Sequence, residues 1–391
     1  MTSAHIHGGT STGSKRREAF LGTLAPNGFP SAISHARGAR VWDEHEREYL
    51  DYVMGLGAVT LGYAYPEVVQ AAQAAVADGV TGPLPPVDEH RLAELLTDVF
   101  PWMEQVRFLK TGAEATAAAV RIARTATGRD RVVTCGYHGW LDWCRDDAGV
   151  PNAVKALTEA IPFGDHAAAR NALRHGAPPA AVVIEPVIDR EPDPAWLGLL
   201  REECSATGTI LIFDEIKTAF RIALGGASER YRVIPDLTVL GKGLANGFPL
   251  AAVGGERSIM KSLDRTWISS TLATESVALR AAHATVLVSR RDDVPGRLNR
   301  LGTHLFEGLE RLCESHRALD ATVLGIPEMC YLSFALDETA WRLTRWASTQ
   351  GVIWKPTAYN FVSLAHSIGD IDRTLGVLEA GLSEASMQHN D

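Results

Sequence analysis

Lys242 stands in Val239-Leu240-Gly241-Lys242-Gly243-Leu244-Ala245, where an apolar run delivers one lysine into a glycine-flanked, mostly apolar turn. Desolvation disfavours the ammonium form of such a lysine and leaves an amine able to form an imine with an aldehyde. A strand-end lysine that reaches water is the plainer alternative for an isolated Gly-Lys-Gly. A second run changes the balance. Ile210-Leu211-Ile212-Phe213-Asp214-Glu215 is continuously apolar and ends in two carboxylates, the pattern of a buried strand with acids at its carboxyl end. An aspartate there can hold a cationic ring nitrogen. A reactive amine and a ring-nitrogen acid together suit pyridoxal phosphate, whose pyridinium takes an aspartate partner. Its phosphate has a candidate seat in Thr111-Gly112-Ala113-Glu114, where a strand ends and a helix begins, so that free amides and the positive end of the helix dipole attract an anion.

These residues need strands and helices in alternation to bring them together. From about Arg107 to Gly255 the pattern reads as strand Arg107–Leu109, helix Glu114–Thr127, strands Arg131–Thr134 and Ala180–Glu185, helix Ala195–Thr207, and strands Ile210–Phe213, Leu237–Leu240 and Ala251–Gly254. Such alternation argues for an α/β fold with a mostly parallel sheet covered by helices, and ligands then belong at the carboxyl ends of the strands. Val41-Trp42 and Tyr49-Leu50 flank a polar turn and predict a hairpin. Helical spacing predicts helices over Pro66–Asp78, Val87–Phe100 and Glu275–Val288, and a C-terminal group over Val294–His316, Glu338–Gln350 and from Asp370, with a strand over Cys330–Ala335.

Composition narrows the function classes. A chain of 391 residues, 46% hydrophobic, can bury a large core and suggests two or three structural units. The net charge of -9 is spread without a basic stripe, which argues against nucleic acid and anionic membrane surfaces as partners. Cys135, Cys144, Cys204, Cys313 and Cys330 are scattered and lack metal-ligand spacing, so a reducing cytoplasm and no metal site are expected. Residues 1–17, polar and without an apolar centre, read as a flexible arm and not a secretory signal.

Taken in order, Gly38-Ala39-Arg40-Val41-Trp42-Asp43, Tyr49-Leu50-Asp51-Tyr52, Leu61-Gly62-Tyr63-Ala64-Tyr65-Pro66, Thr111-Gly112-Ala113-Glu114-Ala115, Gly136-Tyr137-His138-Gly139-Trp140, Glu185-Pro186, Phe213-Asp214-Glu215, Ala365-His366 and Asp370-Ile371-Asp372 resemble the class III aminotransferases, pyridoxal-phosphate enzymes of fold type I. Within that family, Tyr137-His138-Gly139-Trp140-Leu141-Asp142-Trp143 and Thr271-Leu272-Ala273-Thr274-Glu275 look most like the glutamate-1-semialdehyde-aminomutase-like branch. Members of that branch often act on specialised metabolites or cell-surface sugars.

The resemblance implies a large domain with a mostly parallel seven-stranded sheet, over residues 53–273. A smaller α+β domain would come from the N-terminal segment 18–52 and from residues 274–391, which include a connecting helix. It implies that Lys242 holds pyridoxal 5'-phosphate as an internal aldimine and moves the proton. Asp214 would meet the ring nitrogen, Tyr137 and Ile216 the two ring faces, and Gly112, Ala113 and the Thr111 hydroxyl the phosphate. His138 and Glu185 would belong to the cofactor pocket, with Glu215 behind it, and Trp140, Arg221 and Ser31 would face substrate. Thr271 would reach the phosphate of a neighbouring subunit, which implies a homodimer with composite active sites serving an amino donor and a carbonyl acceptor. Plainer roles stand beside these: Tyr137 as a packed loop aromatic, His138 as a structural histidine, Glu185 and Glu215 as helix caps or ion-pair members, and Ser270 or Thr271 as a helix cap.

The chain also departs from the family. His45-Glu46 replaces the usual Asp-Gly of the hairpin, and Tyr63 and Tyr65 replace two histidines. Ala113 replaces a frequent Ser or Thr, Lys217 stands beside the acids, and Ala219 replaces a glycine. The stretch Pro356-Thr357-Ala358-Tyr359-Asn360-Phe361 lacks the glutamate that the aminomutases carry. The expectation is an aminotransferase. An aminomutase or amino-acid epimerase shares the same lysine and aspartate, and a non-catalytic scaffold is the alternative of another class.

Overall fold

The apolar runs become strands of one seven-stranded sheet in the computed structural model, which describes residues 5–24, 28–357 and 359–389. Its strands are β1 (Gln105–Leu109), β2 (Val132–Cys135), β3 (Thr158–Ala160), β4 (Ala181–Ile184), β5 (Ile210–Asp214), β6 (Leu237–Leu240) and β7 (Ala251–Gly255). They lie in the order β1-β7-β6-β5-β4-β2-β3. β7 is antiparallel to both its neighbours, and the remaining pairs are parallel. β3 has no apolar run because it is the exposed edge, so no periodicity announced it.

Side-chain alternation along the strands divides the core in two. Ala181, Val183, Ile212 and Val239 pack with Ala115, Ala119 and Ile122 of α3 (Gly112–Thr127). Val182, Ile184, Leu211 and Phe213 face the other way, onto Leu173 of α4 (His166–Arg174) and Trp196 and Leu200 of α5 (Pro194–Thr207). With α1 (Pro66–Asp78), α2 (Val87–Val99) and α6 (Ser276–Arg291), these elements form one compact unit over Pro66–Pro295. The boundaries of this unit differ from the expected 53 and 273. Ala278, Leu279, Ala282 and Val286 of α6 pack with Leu92 and Leu96 of α2 and Leu240 of β6, so the connecting helix belongs to the sheet's own core.

The second unit comprises Met1–Tyr65 and Gly296–Asp391. Strands Ile33–Arg37, Arg40–Asp43 and Glu48–Asp51 form an antiparallel set that Val352–Ile353 extends in parallel. The replaced hairpin turn works because the Asp43 carboxylate accepts from the His45 and Arg47 amides at 2.8 and 2.9 Å, while Glu46 takes a left-handed φ of 58°. Of the expected arm, residues 1–4 lie outside the described residues, and residues 5–17 are described. They form short 3-10 turns, and the buried Lys355 ammonium, which needs an acceptor, donates to the Ser14 carbonyl at 3.2 Å. Ala358, in the stretch that departs from the aminomutases, lies outside the described residues.

His366 is buried in this unit against the Tyr52 ring, 4.6 Å between centroids, with Nδ1 held by the Ser363 amide at 3.0 Å. Burial pushes its imidazole down from 6.5 to about 4. The unfolded chain therefore binds the extra proton first as pH falls. The contribution of a neutral His366 is complete above about 6.5 and is lost as pH drops toward 4, by up to about 3 kcal/mol. Urea unfolding at pH 7 and pH 4.5 should show this loss in the native chain and a smaller one in His366→Gln; equal losses would remove His366 as the cause.

Candidate active site

The sheet register sets the expected residues side by side. Cys135 of β2 pairs with Ile184 of β4, Ile184 with Phe213 of β5, and Asp214 with Val239 of β6. The residues that follow these strands emerge from one edge: Tyr137 and His138 after β2, Glu185 after β4, Asp214 to Lys217 at the end of β5, and Lys242 after β6. β1 runs parallel to β6 across the antiparallel β7, so Thr111, Gly112 and Ala113 open α3 at the same edge.

Asp214 is the most constrained of these groups. Its Oδ2 lies 2.8 Å from His138 Nδ1, both side chains being buried, and its Oδ1 accepts from the Ile216 amide at 3.2 Å. The His138 backbone is fixed in turn, because the Thr116 hydroxyl of α3 donates to its carbonyl at 3.0 Å. Glu185 holds the same loop by another route. One of its oxygens accepts from the Tyr137 amide at 2.7 Å, and the other pairs with Lys217 Nζ at 3.0 Å. Close packing at two glycines brings α3 into the cluster. A methyl on Gly112 would come within 2.6 Å of Ile216 Cδ1, and one on Gly139, whose φ is 105°, within 2.7 Å of Ala113 Cβ.

Lys242 adopts a left-handed φ of 41°, a conformation that costs a non-glycine residue about 1–2 kcal/mol. Burial pushes its amine below the ordinary lysine range. The positive charges of Lys217 and Arg221 push the same way, against the pull of Glu185 and Asp214. The balance of these effects lies on the side of the neutral amine relative to an ordinary lysine.

The remaining candidates divide by exposure. Thr111 caps α3: its hydroxyl accepts from the Glu114 amide at 3.2 Å while Glu114 accepts from the Thr111 amide at 2.9 Å. The cap uses Thr111 as an acceptor and leaves its O–H, with the Gly112 and Ala113 amides, as the donors at the helix opening that an anion could take. Tyr137 and Trp140 are 64% and 73% exposed, and Thr271 is exposed too. Glu275, not Ser270 or Thr271, caps the helix that follows. Arg221 is buried. Ser31 belongs to the other unit, where its hydroxyl donates to Glu44. Glu215 has a structural part: it accepts from the Ala227 and Ser228 amides at 2.9 and 2.8 Å and so secures the short helix Gly226–Tyr231.

Lys217 is the residue whose place the sequence left open. Its position beside the acids was visible, but the pairing with Glu185 was not, because Glu185 comes from another strand.

No group of three or more His, Cys, Asp or Glu among the described residues could hold a metal ion, and all five cysteines are unpaired. The donor set suits pyridoxal phosphate instead: a deprotonating amine, a buried carboxylate with its own hydrogen-bond support, an apolar wall from Ile216, and a helix amino terminus.

Comparison with known proteins agrees with the geometry. The family model for aminotransferase class-III matches residues 24–369. A glutamate-1-semialdehyde 2,1-aminomutase from Sorangium cellulosum (strain So ce56) is 34% identical, over 92% of this chain and 90% of the relative. The fold is similar to the internal aldimine form of the Sphingopyxis sp. MTA144 FumI protein, with a TM-score of 0.91 and 27% identity over 97% of this chain and 94% of that one. It is also similar to an omega-transaminase from Sphaerobacter thermophilus, with a TM-score of 0.87 and 27% identity over 97% and 95%. The chain belongs to the class III aminotransferases and is a pyridoxal-phosphate-dependent enzyme of that class.

Proposed function

We propose that this enzyme moves an amino group from a small-molecule amine to an aldehyde or ketone, and that it works as a homodimer with composite active sites. The observation that carries the reading is Lys242, a buried amine whose ammonium form burial disfavours, at the same sheet edge as the hydrogen-bonded carboxylate of Asp214. Bound here, pyridoxal phosphate supplies an aldehyde that exchanges amines and a ring that accepts electrons from the carbon losing its proton.

The chain's own residues do the rest. Lys242 Nζ is the nucleophile that holds the cofactor and, once released, the base that takes a proton from the substrate carbon and returns it. Asp214, kept in place by His138 and the Ile216 amide, holds the proton on the ring nitrogen. The Tyr137 ring and Ile216 keep the ring plane fixed, and the Gly112 and Ala113 amides bind the phosphate. Thr271, exposed on its own chain, is assigned to the phosphate of the neighbouring subunit. Trp140 and Arg221 are the substrate-side candidates within this unit.

An intramolecular aminomutase is the second reading, favoured by the names of the relatives. Lys242 and Asp214 serve both reactions. An external amino donor offered alone should release about one equivalent of oxo product per site from a transferase, as the general exchange chemistry requires. Isomerisation of a single substrate without such release would establish the aminomutase.

Lys242→Ala should cost at least the roughly 10²–10⁴-fold contribution of a positioned proton-transfer group, while the phosphate and Asp214 contacts preserve some cofactor binding. Turnover close to the native rate would end the assignment. Asp214→Asn should hold the cofactor yet slow turnover roughly 10²–10³-fold, the scale for losing one preorganised electrostatic partner; an undiminished rate would leave Asp214 a structural acid.

Thr271→Ala should weaken cofactor binding by roughly one to two orders of magnitude, the worth of a hydrogen bond to a charged group. Mixed dimers locate the contact. A Thr271→Ala subunit paired with a Lys242→Ala subunit keeps one intact site if Thr271 crosses the interface, so it should need no more cofactor than a hybrid of native and Lys242→Ala subunits. A clearly higher requirement would assign Thr271 to its own subunit.

A further inference from the structure

Burying a lysine is costly unless its charge is met, and Lys217 is only 7% exposed. It stands two residues after the acidic pair Asp214-Glu215. Its Nζ meets Glu185 at 3.0 Å, and the second Glu185 oxygen accepts from the Tyr137 amide at 2.7 Å. The turn that carries Lys217 follows directly on Asp214, the last residue of β5, which holds His138, the next residue of the same loop. The end of β5 and the turn that follows it therefore grip the loop after β2 twice, once directly through Asp214 and once through Glu185.

We propose that Lys217 is a positioning residue of the amino-transfer site: it orients and neutralises Glu185, which holds the Tyr137 backbone against the cofactor, and it balances the charge around Lys242. This rests on the functional reading above. The charged groups that act on Lys242 are Lys217 and Arg221 from the segment after β5, Glu185 from the end of β4, and Asp214 from β5 with His138 on its other side. Removing Lys217 takes away a repelling charge and leaves Glu185 uncompensated, so Lys242 should keep its proton to higher pH. Removing the Glu185 charge should do the reverse. A purely structural role would give no such opposition of sign.

The test uses the cofactor-free full chain, treated with a small neutral acylating reagent across pH, with modification of Lys242 followed by mass spectrometry. The midpoint should rise by about one pH unit in Lys217→Met and fall in Glu185→Gln, the scale expected of a neighbouring charge, and Lys217→Arg should follow the native chain. Both single variants should bind pyridoxal phosphate several-fold more weakly in equilibrium dialysis, with Lys217→Arg recovering most of the loss.

The double variant Lys217→Met/Glu185→Gln strands no charge and keeps the test available if Lys217→Met does not fold. It should return the Lys242 midpoint toward the native value while cofactor binding stays weak. Midpoints that do not move, or that move together in the two single variants, overturn the proposal, as does native cofactor affinity in the double variant. Protection of Lys242 by pyridoxal phosphate in the native chain checks the site separately. Without protection both readings fall; with protection and an unmoved Lys217→Met midpoint, only the role of Lys217 falls.

Discussion

An amine that is to attack an aldehyde near neutral pH must lose its proton while standing beside the carboxylates the chemistry also needs. Attraction to Glu185 and Asp214 would keep Lys242 charged, and burial together with the positive charges of Lys217 and Arg221 opposes it. The second of these effects is supplied by a segment that also carries Asp214. The two carboxylates have partners of their own: Asp214 shares a hydrogen bond with His138, and Glu185 pairs with Lys217.

Those pairings depend on the sheet. Parallel strands send their carboxyl ends to one edge, and the register places Cys135, Ile184, Phe213 and Asp214 within one band across it. The strands hold that register because both faces are packed, by α3 on one side and by α4 and α5 on the other. The loop bearing Tyr137 and His138 is then tied to three different elements: to β5 through Asp214, to β4 through Glu185 and to α3 through Thr116.

Departures from the family motifs are absorbed by neighbouring groups. The Asp43 carboxylate organises a hairpin turn in which Glu46 accepts a left-handed backbone. Tyr63 donates to the buried Asp51 at 2.7 Å, and Asp51 also accepts from the Val53 and Met54 amides, so three donors oppose the burial that still pushes its carboxyl upward. The buried Lys217 is met in the same way, by Glu185, whose other oxygen accepts from the loop bearing Tyr137.

Much of the large sheet was legible from the amino acids because buried parallel strands are written as apolar runs: Ile210–Phe213 and Leu237–Leu240 were read within a residue of where they lie. β3 was not, since an exposed edge strand needs no apolar run. Lys242, Asp214 and the helix opening at Gly112 were legible because each has a local signature of strand, turn and residue type. Thr111 as a cap, Glu275 as the start of α6 and Glu215 as an anchor of a short helix were settled by hydrogen bonds that residue types alone leave open. The sequence by itself determined which elements form and which groups could do chemistry, because periodicity and turn residues act over a few positions. Only the tertiary structure decided that His138 meets Asp214 and that Lys217 meets Glu185, because those contacts join loops that are 76 and 32 residues apart and are set by strand register, a property of the sheet and not of any one segment.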